Sequence, residues 1–173
     1  DAGTLPSVDE DGAARWFAAQ RGWLRDAGYA QYEISNYARA GFASQHNQLY
    51  WRLDDYLGLG LGATSWERPV RRTNTADFGA YCRALASGAL PPAEEERLTR
   101  AEQMSESVFM ALRMNDGLSL AAFRALYGED VADVFPDAVA EGRERGWLVL
   151  EDGQLRLTDA GRSLGNWVFE LFI

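Results

Sequence analysis

The chain has 173 residues, enough for one domain or two small ones with a sizeable core. Nearly half of them are apolar and six are Trp, which excludes a disordered polymer. A net charge of −9 argues against general affinity for nucleic acid or an anionic membrane surface. In chain order, Asp9-Glu10-Asp11 can cap and charge a helix start. Ala13, Trp16, Phe17, Gln20, Trp23, Leu24 and Ala27 follow at helical spacing and give one apolar face, closed by Ala27-Gly28. Gln31 to Tyr37 is rich in aromatic residues and reads as a strand. Helix, glycine turn and strand together suggest one αβ unit of a parallel sheet.

A polar loop around His46 comes next, then a short polar helix or turn near Arg52 to Tyr56. Glu67 to Thr73 reads as an edge strand, and Ala76 to Ala86 as a helix capped by Asn74 or Thr75. Ser87-Gly88-Ala89-Leu90-Pro91-Pro92 is the best linker, which divides the chain into residues 1–90 and 91–173. In the second part, Thr99-Arg100-Ala101-Glu102 has capping-box spacing, with Met104, Val108, Ala111 and Leu112 on the inner face of the helix that follows. Ser119 to Tyr127 and Val131 to Arg145 are further helices. Trp147 to Leu150 and Leu155 to Leu157 form a hairpin around Glu151-Asp152-Gly153-Gln154. Thr158 caps a final helix to about Phe169. Three helices, a small hairpin and a helix make this part winged-helix-like. Between Ser119 and Thr158, eight Asp/Glu stand against four Arg, so groove binding to DNA is not expected of it.

Three motifs carry chemistry. His46, in His46-Asn47-Gln48-Leu49-Tyr50-Trp51, is the only histidine. An imidazole is a metal ligand, a proton shuttle or a hydrogen-bonding structural group, and an aromatic pair three and four residues on could wall a flat ligand. A single His with no cysteine or carboxylate cluster beside it builds no zinc site. Gly58-Leu59-Gly60-Leu61-Gly62 alternates with period two. It reads either as a flat strand that lets a ligand approach or as tight packing of a sheet on a helix. It has neither dinucleotide-fingerprint spacing nor a P-loop lysine. Glu33, Ser35 and Asn36 sit near a strand end, where ligands gather in parallel folds, and Glu33 and Ser35 would share one strand face. Cys82 is the single cysteine, so internal disulfides are excluded and a cytoplasmic setting fits. No apolar run reaches membrane-spanning length, so stable membrane insertion is not expected.

Taken together, Gln31-Tyr32-Glu33-Ile34-Ser35-Asn36-Tyr37-Ala38, then Gly41, Ser44, His46-Asn47-x-x-Tyr50-Trp51, then Tyr56-Leu57-Gly58-Leu59-Gly60-x-Gly62-Ala63-x-Ser65, resemble the HemW branch of the radical SAM superfamily. These are haem chaperones, widely labelled oxygen-independent coproporphyrinogen III oxidase-like proteins. Leu5-Pro6 with Asp9-Glu10, Gly117-Leu118, Gly146-Trp147-Leu148, Leu157-Thr158-x-x-Gly161 and Asn166 fit the same pattern in order. The resemblance implies a fold that is α/β plus α+β: the end of an incomplete (β/α)6 barrel (residues 1–90), then a helical winged-helix-like domain (91–173). It implies that His46, Asn47, Tyr50 and Trp51 bind haem, with His46 on the iron. Gly60, Gly62, Ala63 and Thr64 would lie near S-adenosylmethionine, while Glu33, Ser35 and Asn36 would line the same cavity. Apo-haemoproteins would be the clients. The family's CxxxCxxC cluster motif is not found here, and one cysteine cannot ligate a [4Fe–4S] cluster. With Asp1 in place of an initiator Met, the chain is expected to be the C-terminal part of a longer protein. Whether that parent is an enzyme stays open. As an oxidase of coproporphyrinogen III, it would pair Arg52, Arg71 or Arg72 with propionates.

Overall fold

The structure, a computed structural model, describes residues 9–173; Leu5-Pro6 lies outside them. Helix α1 (Glu10–Asp26) ends at Ala27, and Gly28 takes the positive φ of +82° that turns the chain. Asp9 sits at the N-cap position without a side-chain capping bond. The expected apolar face is present, but it is not buried: Trp16 and Trp23, 6.2 Å apart, are 69% and 61% exposed.

The strand expected over Gln31 to Tyr37 is two short pieces instead. β1 (Ala30–Gln31) and β2 (Tyr37–Ala38) pair antiparallel, with a turn between them. The reason lies in where the backbone groups of the turn find partners. Ile34 N–H donates to Arg113 O at 3.0 Å, and Asn115 N–H donates to Tyr32 O at 3.1 Å. The segment is therefore sewn to residues 113–115 and not to a parallel neighbour. Glu33 and Ser35 consequently do not share a face: Glu33 is fully buried and Ser35 is exposed.

His46 lies on a helix and not in a loop. α2 (Gln45–Trp51) starts at Ser44, whose hydroxyl accepts from Asn47 N–H at 3.2 Å. The glycine run that follows is not a strand. β3 (Thr64–Glu67) and β4 (Val70–Asn74) form a hairpin across the expected edge strand. β4 is central, because β5 (Ala93–Arg97) pairs along its other side. The pattern Glu94-Glu95-Glu96 disguised β5, since charged residues are poor strand signals. Their partners explain it: Arg71 and Arg72 lie directly opposite Glu96 and Glu95. Between these strands, α3 (Phe78–Ala86) is capped by Asp77, which accepts from Ala80 N–H at 2.9 Å, and not by Asn74 or Thr75.

The remaining chain closes around its own core. α4 (Arg100–Leu112) opens with the full capping box of Thr99 and Glu102 and buries Met104, Val108 and Leu112. β6 (Leu118–Ser119) leads into α5 (Leu120–Tyr127), capped by the Ser119 hydroxyl. The single helix expected to Arg145 is broken into α6 (Val131–Val134) and α7 (Pro136–Glu144), because proline at 136 forbids continuity. β7 (Leu148–Glu151) and β8 (Gln154–Leu157) turn through Asp152 and Gly153, both at positive φ, as a tight two-residue hairpin requires. The sheet order is β6-β8-β7. α8 (Asp159–Ser163) and α9 (Gly165–Glu170) replace the single final helix, with a corner at Leu164. One continuous core joins Val108, Leu112, Phe123, Leu155, Val168 and Phe172. Every strand pairing among the described residues is antiparallel, so the parallel αβ unit read from the sequence is not present in them.

Candidate functional site

α2 divides the His-Asn-x-x-Tyr-Trp motif between two faces. His46 and Tyr50 are one turn apart, and so are Asn47 and Trp51. On the first face, the Tyr50 hydroxyl lies 3.2 Å from His46 Nε2, and the two rings meet edge-on with centroids 5.0 Å apart. Tyr50 in turn packs edge-on against Tyr56, centroid to centroid 4.7 Å. The result is a row, His46–Tyr50–Tyr56, with the imidazole exposed at its end. Tyr56 is held in place through paired backbone bonds of 2.9 Å in each direction with Trp66 of β3. Burial raises its phenol pKa above the ordinary value, with Tyr50 and Glu106 adding to the rise and Arg71 opposing it.

On the second face, Trp51 turns away from His46. The Arg113 guanidinium stacks over its ring at 4.2 Å, and its indole N–H is buried without a partner among the described residues. Trp51 also borders a cavity of about 340 Å³ against α4 and α5. The aromatic wall beside the histidine is thus Tyr50 with Tyr56, and Trp51 is not part of it. Sequence reading missed Tyr56 as a site residue; its signal was an aromatic ring leading directly into the glycine run.

The other expected site residues lie apart from this row. Gly58 packs so closely on the Thr64 backbone that a Cβ would overlap it. Asn74 is buried, and its amide donates to Gly60 O at 2.9 Å. Gly62 N–H donates to Thr75 O at 3.1 Å, and Ala63 N–H to Gly60 O at 3.3 Å. Thr64 and Thr73 hydroxyls share a bond of 3.0 Å. The glycine run is therefore a folded turn locked to the end of the β3–β4 hairpin, which favours the close-packing reading over the open strand. Glu33 Oε1 accepts from Ser35 N–H at 2.7 Å, while its Oε2 is buried without a partner among the described residues. Of Glu33, Ser35 and Asn36, Ser35 borders a sizeable cleft, one between α1, α4 and the α8–α9 corner.

The arginines weighed for propionates are mostly committed. Arg71 makes a two-pronged bond to Glu106 (3.0 and 2.9 Å) and a third to Glu96 (2.7 Å). Burial pulls its pKa down, but the bonds and charges of Glu106 and Glu96 more than offset this and hold it above the ordinary value. Arg72 reaches Pro91 O at 2.8 Å and lies 3.8 Å from Glu95. Arg52 donates to Gln48 at 2.8 Å.

Comparison with known proteins bears on this arrangement. Residues 98–164 match the family model of the HemN C-terminal domain. The heme chaperone HemW of Bacillus subtilis is 34% identical over 146 residues, covering 84% of this chain and 38% of that protein. Over residues 98–164 the chain carries the HemN C-terminal domain, and across most of its length it is similar to part of the HemW heme chaperones. The HemW of Escherichia coli is 31% identical across 99% of this chain and 46% of its own length. A solved structure of the coproporphyrinogen III oxidase HemN from Escherichia coli, a radical SAM enzyme, aligns with TM-score 0.72 over 99% of this chain and 43% of its own, at 18% identity. The chain thus has the mixed α/β fold of the C-terminal region of the family, and spans less than half the length of the relatives it matches. No helix among the described residues is long and apolar enough to cross a membrane.

Proposed function

We propose that this chain is the C-terminal part of a haem chaperone, which binds haem as cargo through His46 and passes it to an apo-haemoprotein. The observation that carries this reading is the exposed imidazole at the end of the His46–Tyr50–Tyr56 row. The donor chemistry fits: neutral imidazole is a common haem ligand, and phenol rings provide a flat apolar flank. Haem offers an iron coordination position for a ring nitrogen. Nε2 lies within hydrogen-bond distance of the Tyr50 hydroxyl in the free chain, so His46 would give up that hydrogen bond in order to hold the iron through Nε2. An exposed hydrogen bond of this kind contributes only about 1 kcal/mol, a small cost against ligation. Asn47 assists by fixing the start of α2, its backbone N–H donating to the Ser44 hydroxyl. Trp51 positions the helix by stacking with Arg113. Easy release suits a chaperone, and a ligand on an open helix face suits release.

We further propose that residues 1–90, whose sheet β5 (Ala93–Arg97) completes, belong to an incomplete barrel, and that the chain from Leu98 onward forms a winged-helix-like domain, so the boundary lies beyond the stretch read as a linker. The β6-β8-β7 order around α4, α5 and α7 supports the second part. An S-adenosylmethionine contact at Gly60, Gly62, Ala63 and Thr64 fits poorly. The Gly62 and Ala63 N–H groups and the Thr64 hydroxyl are already engaged within the turn. A [4Fe–4S] cluster does not fit the donor set of this chain at all, because Cys82 is its single cysteine. No step is routed through either group. The alternative, an oxidase of coproporphyrinogen III, loses support from the arginines. Arg71 is saturated by Glu96 and Glu106 and is not available to a propionate.

Titration of the chain and of His46→Ala with haem, followed by Soret absorbance, tests the reading. A saturable red shift in the wild type, lost in the variant, is the expected outcome. Equal binding by both would remove His46 from the iron and overturn the proposal.

A further inference from the structure

The cleft bordered by Ser35 has an unusual charge for so acidic a chain. Its volume is about 610 Å³, and three arginines, Arg21, Arg113 and Arg162, border it. Arg21 and Arg162 share one carboxylate, that of Asp159, at 2.8 and 2.7 Å. Arg113 makes no ion pair among the described residues, and its Nε is buried without a hydrogen-bond partner. It is held only by aromatic faces, Trp51 at 4.2 Å and Phe169 at 5.9 Å. Among the ion pairs of the described residues, these three arginines have one carboxylate between them, that of Asp159. Burial, followed by repulsion from Arg21 and Arg156, holds the Arg162 pKa below its ordinary value, with Asp159 opposing. The walls are aromatic: Phe17 on α1, and Trp167 and Phe169 on α9. Trp167 is 66% exposed, a large ring with nothing over it among the described residues.

Guanidinium forks prefer planar carboxylates, and aromatic rings prefer flat apolar partners. We propose that this cleft is a second ligand site, which takes a flat aromatic carboxylate with its acid group on Arg113 and its ring against Trp167 and Phe17. The site is separate from the His46 row, because Trp51 and Arg113 lie on the opposite face of α2. Its occupant does not depend on the haem reading.

Pyrenebutyrate is a suitable probe, with uncharged pyrenebutanol as its control, both read by pyrene fluorescence on the intact chain. The acid is expected to bind saturably and the alcohol at least about tenfold more weakly, as one lost charge-assisted bond implies. Arg113→Gln should weaken the acid by about tenfold and leave the alcohol unchanged. Arg113 packs between two rings, so a folding defect in that variant is checked by circular dichroism. Trp167→Ala, at an exposed position, provides an independent variant and should weaken both probes. His46→Ala should change neither, which keeps the fate of this site distinct from that of the haem site. Equal binding of acid and alcohol, or acid binding that survives both Arg113→Gln and Trp167→Ala, would overturn the proposal.

Discussion

The two regions of the chain keep their hydrophobic residues in opposite places. From Leu98 onward, a single core buries Val108, Leu112, Leu155 and Val168 completely. Before Leu98, Leu53 and Trp66 are the only large hydrophobic side chains that are buried among the described residues. Trp16, Trp23, Phe42, Leu57, Leu59 and Phe78 all stand more than 60% exposed. The first region is held by hydrogen bonds, by its three-stranded sheet and by its seam to residues 113–115. The second is held by burial. What this teaches is where each kind of information resides: the second region carries stability, and the first carries the motifs.

The largest test of that contrast is a pair of truncations followed by urea denaturation. Leu155→Ala, at a position with no exposure, should cost about 2–5 kcal/mol. Trp23→Ala, on the uncovered face of α1, should change stability by no more than about 0.5 kcal/mol despite removing a larger side chain. Similar costs would mean that α1 is packed as firmly as the core. A middle-sized effect comes from the caps. Thr99→Ala removes half of a capping box on a core helix and should lower global stability by about 1 kcal/mol in the same assay. The matching change in the first region, Ser44→Ala, should loosen α2 alone, seen as faster amide exchange at Asn47 with the urea midpoint unmoved.

The smallest effect is a pH dependence where the two regions meet. The hydrogen bond from Arg21 holds the Asp159 carboxyl below the usual carboxylate range, with burial opposing and the charges of Arg21 and Arg162 adding. A depressed folded value means that the contribution is complete above the unfolded value, about pH 3.9, and is lost as pH falls through the lower folded value. Asp159 is 76% exposed, so salt will screen the pair and the effect will be modest. Tryptophan fluorescence of the chain should therefore report a small loosening of α1 below about pH 4, absent in Asp159→Asn. A transition of equal size in that variant would assign it to another group.

Sequence reading succeeded where the signal was local. The Thr99–Glu102 box, the Thr158 cap and the Asp152-Gly153 turn are all short-range devices, and each forms as its residue types dictate. It failed where a distant partner decides. Gln31 to Tyr37 has strand composition, but its backbone bonds to residues 113–115, some eighty positions away, turn it into a loop. β5 has the wrong composition for a strand and forms because Arg71 and Arg72 await its glutamates. The motif itself was legible as a motif, whereas its division into two helix faces was not. That division depends on α2 being a helix, and the seven residues involved carry no apolar stripe to announce one.

One consequence of β5 concerns the integrity of the chain. The exposed Ser87–Leu90 stretch is the natural place for a protease to cut. Residues 93–97 beyond it are paired along β4, and Arg71 is tied to Glu106 of α4. A nick at that stretch would therefore leave both pieces clasped together, as complementing halves of a split protein, and neither would be set free as an independent unit.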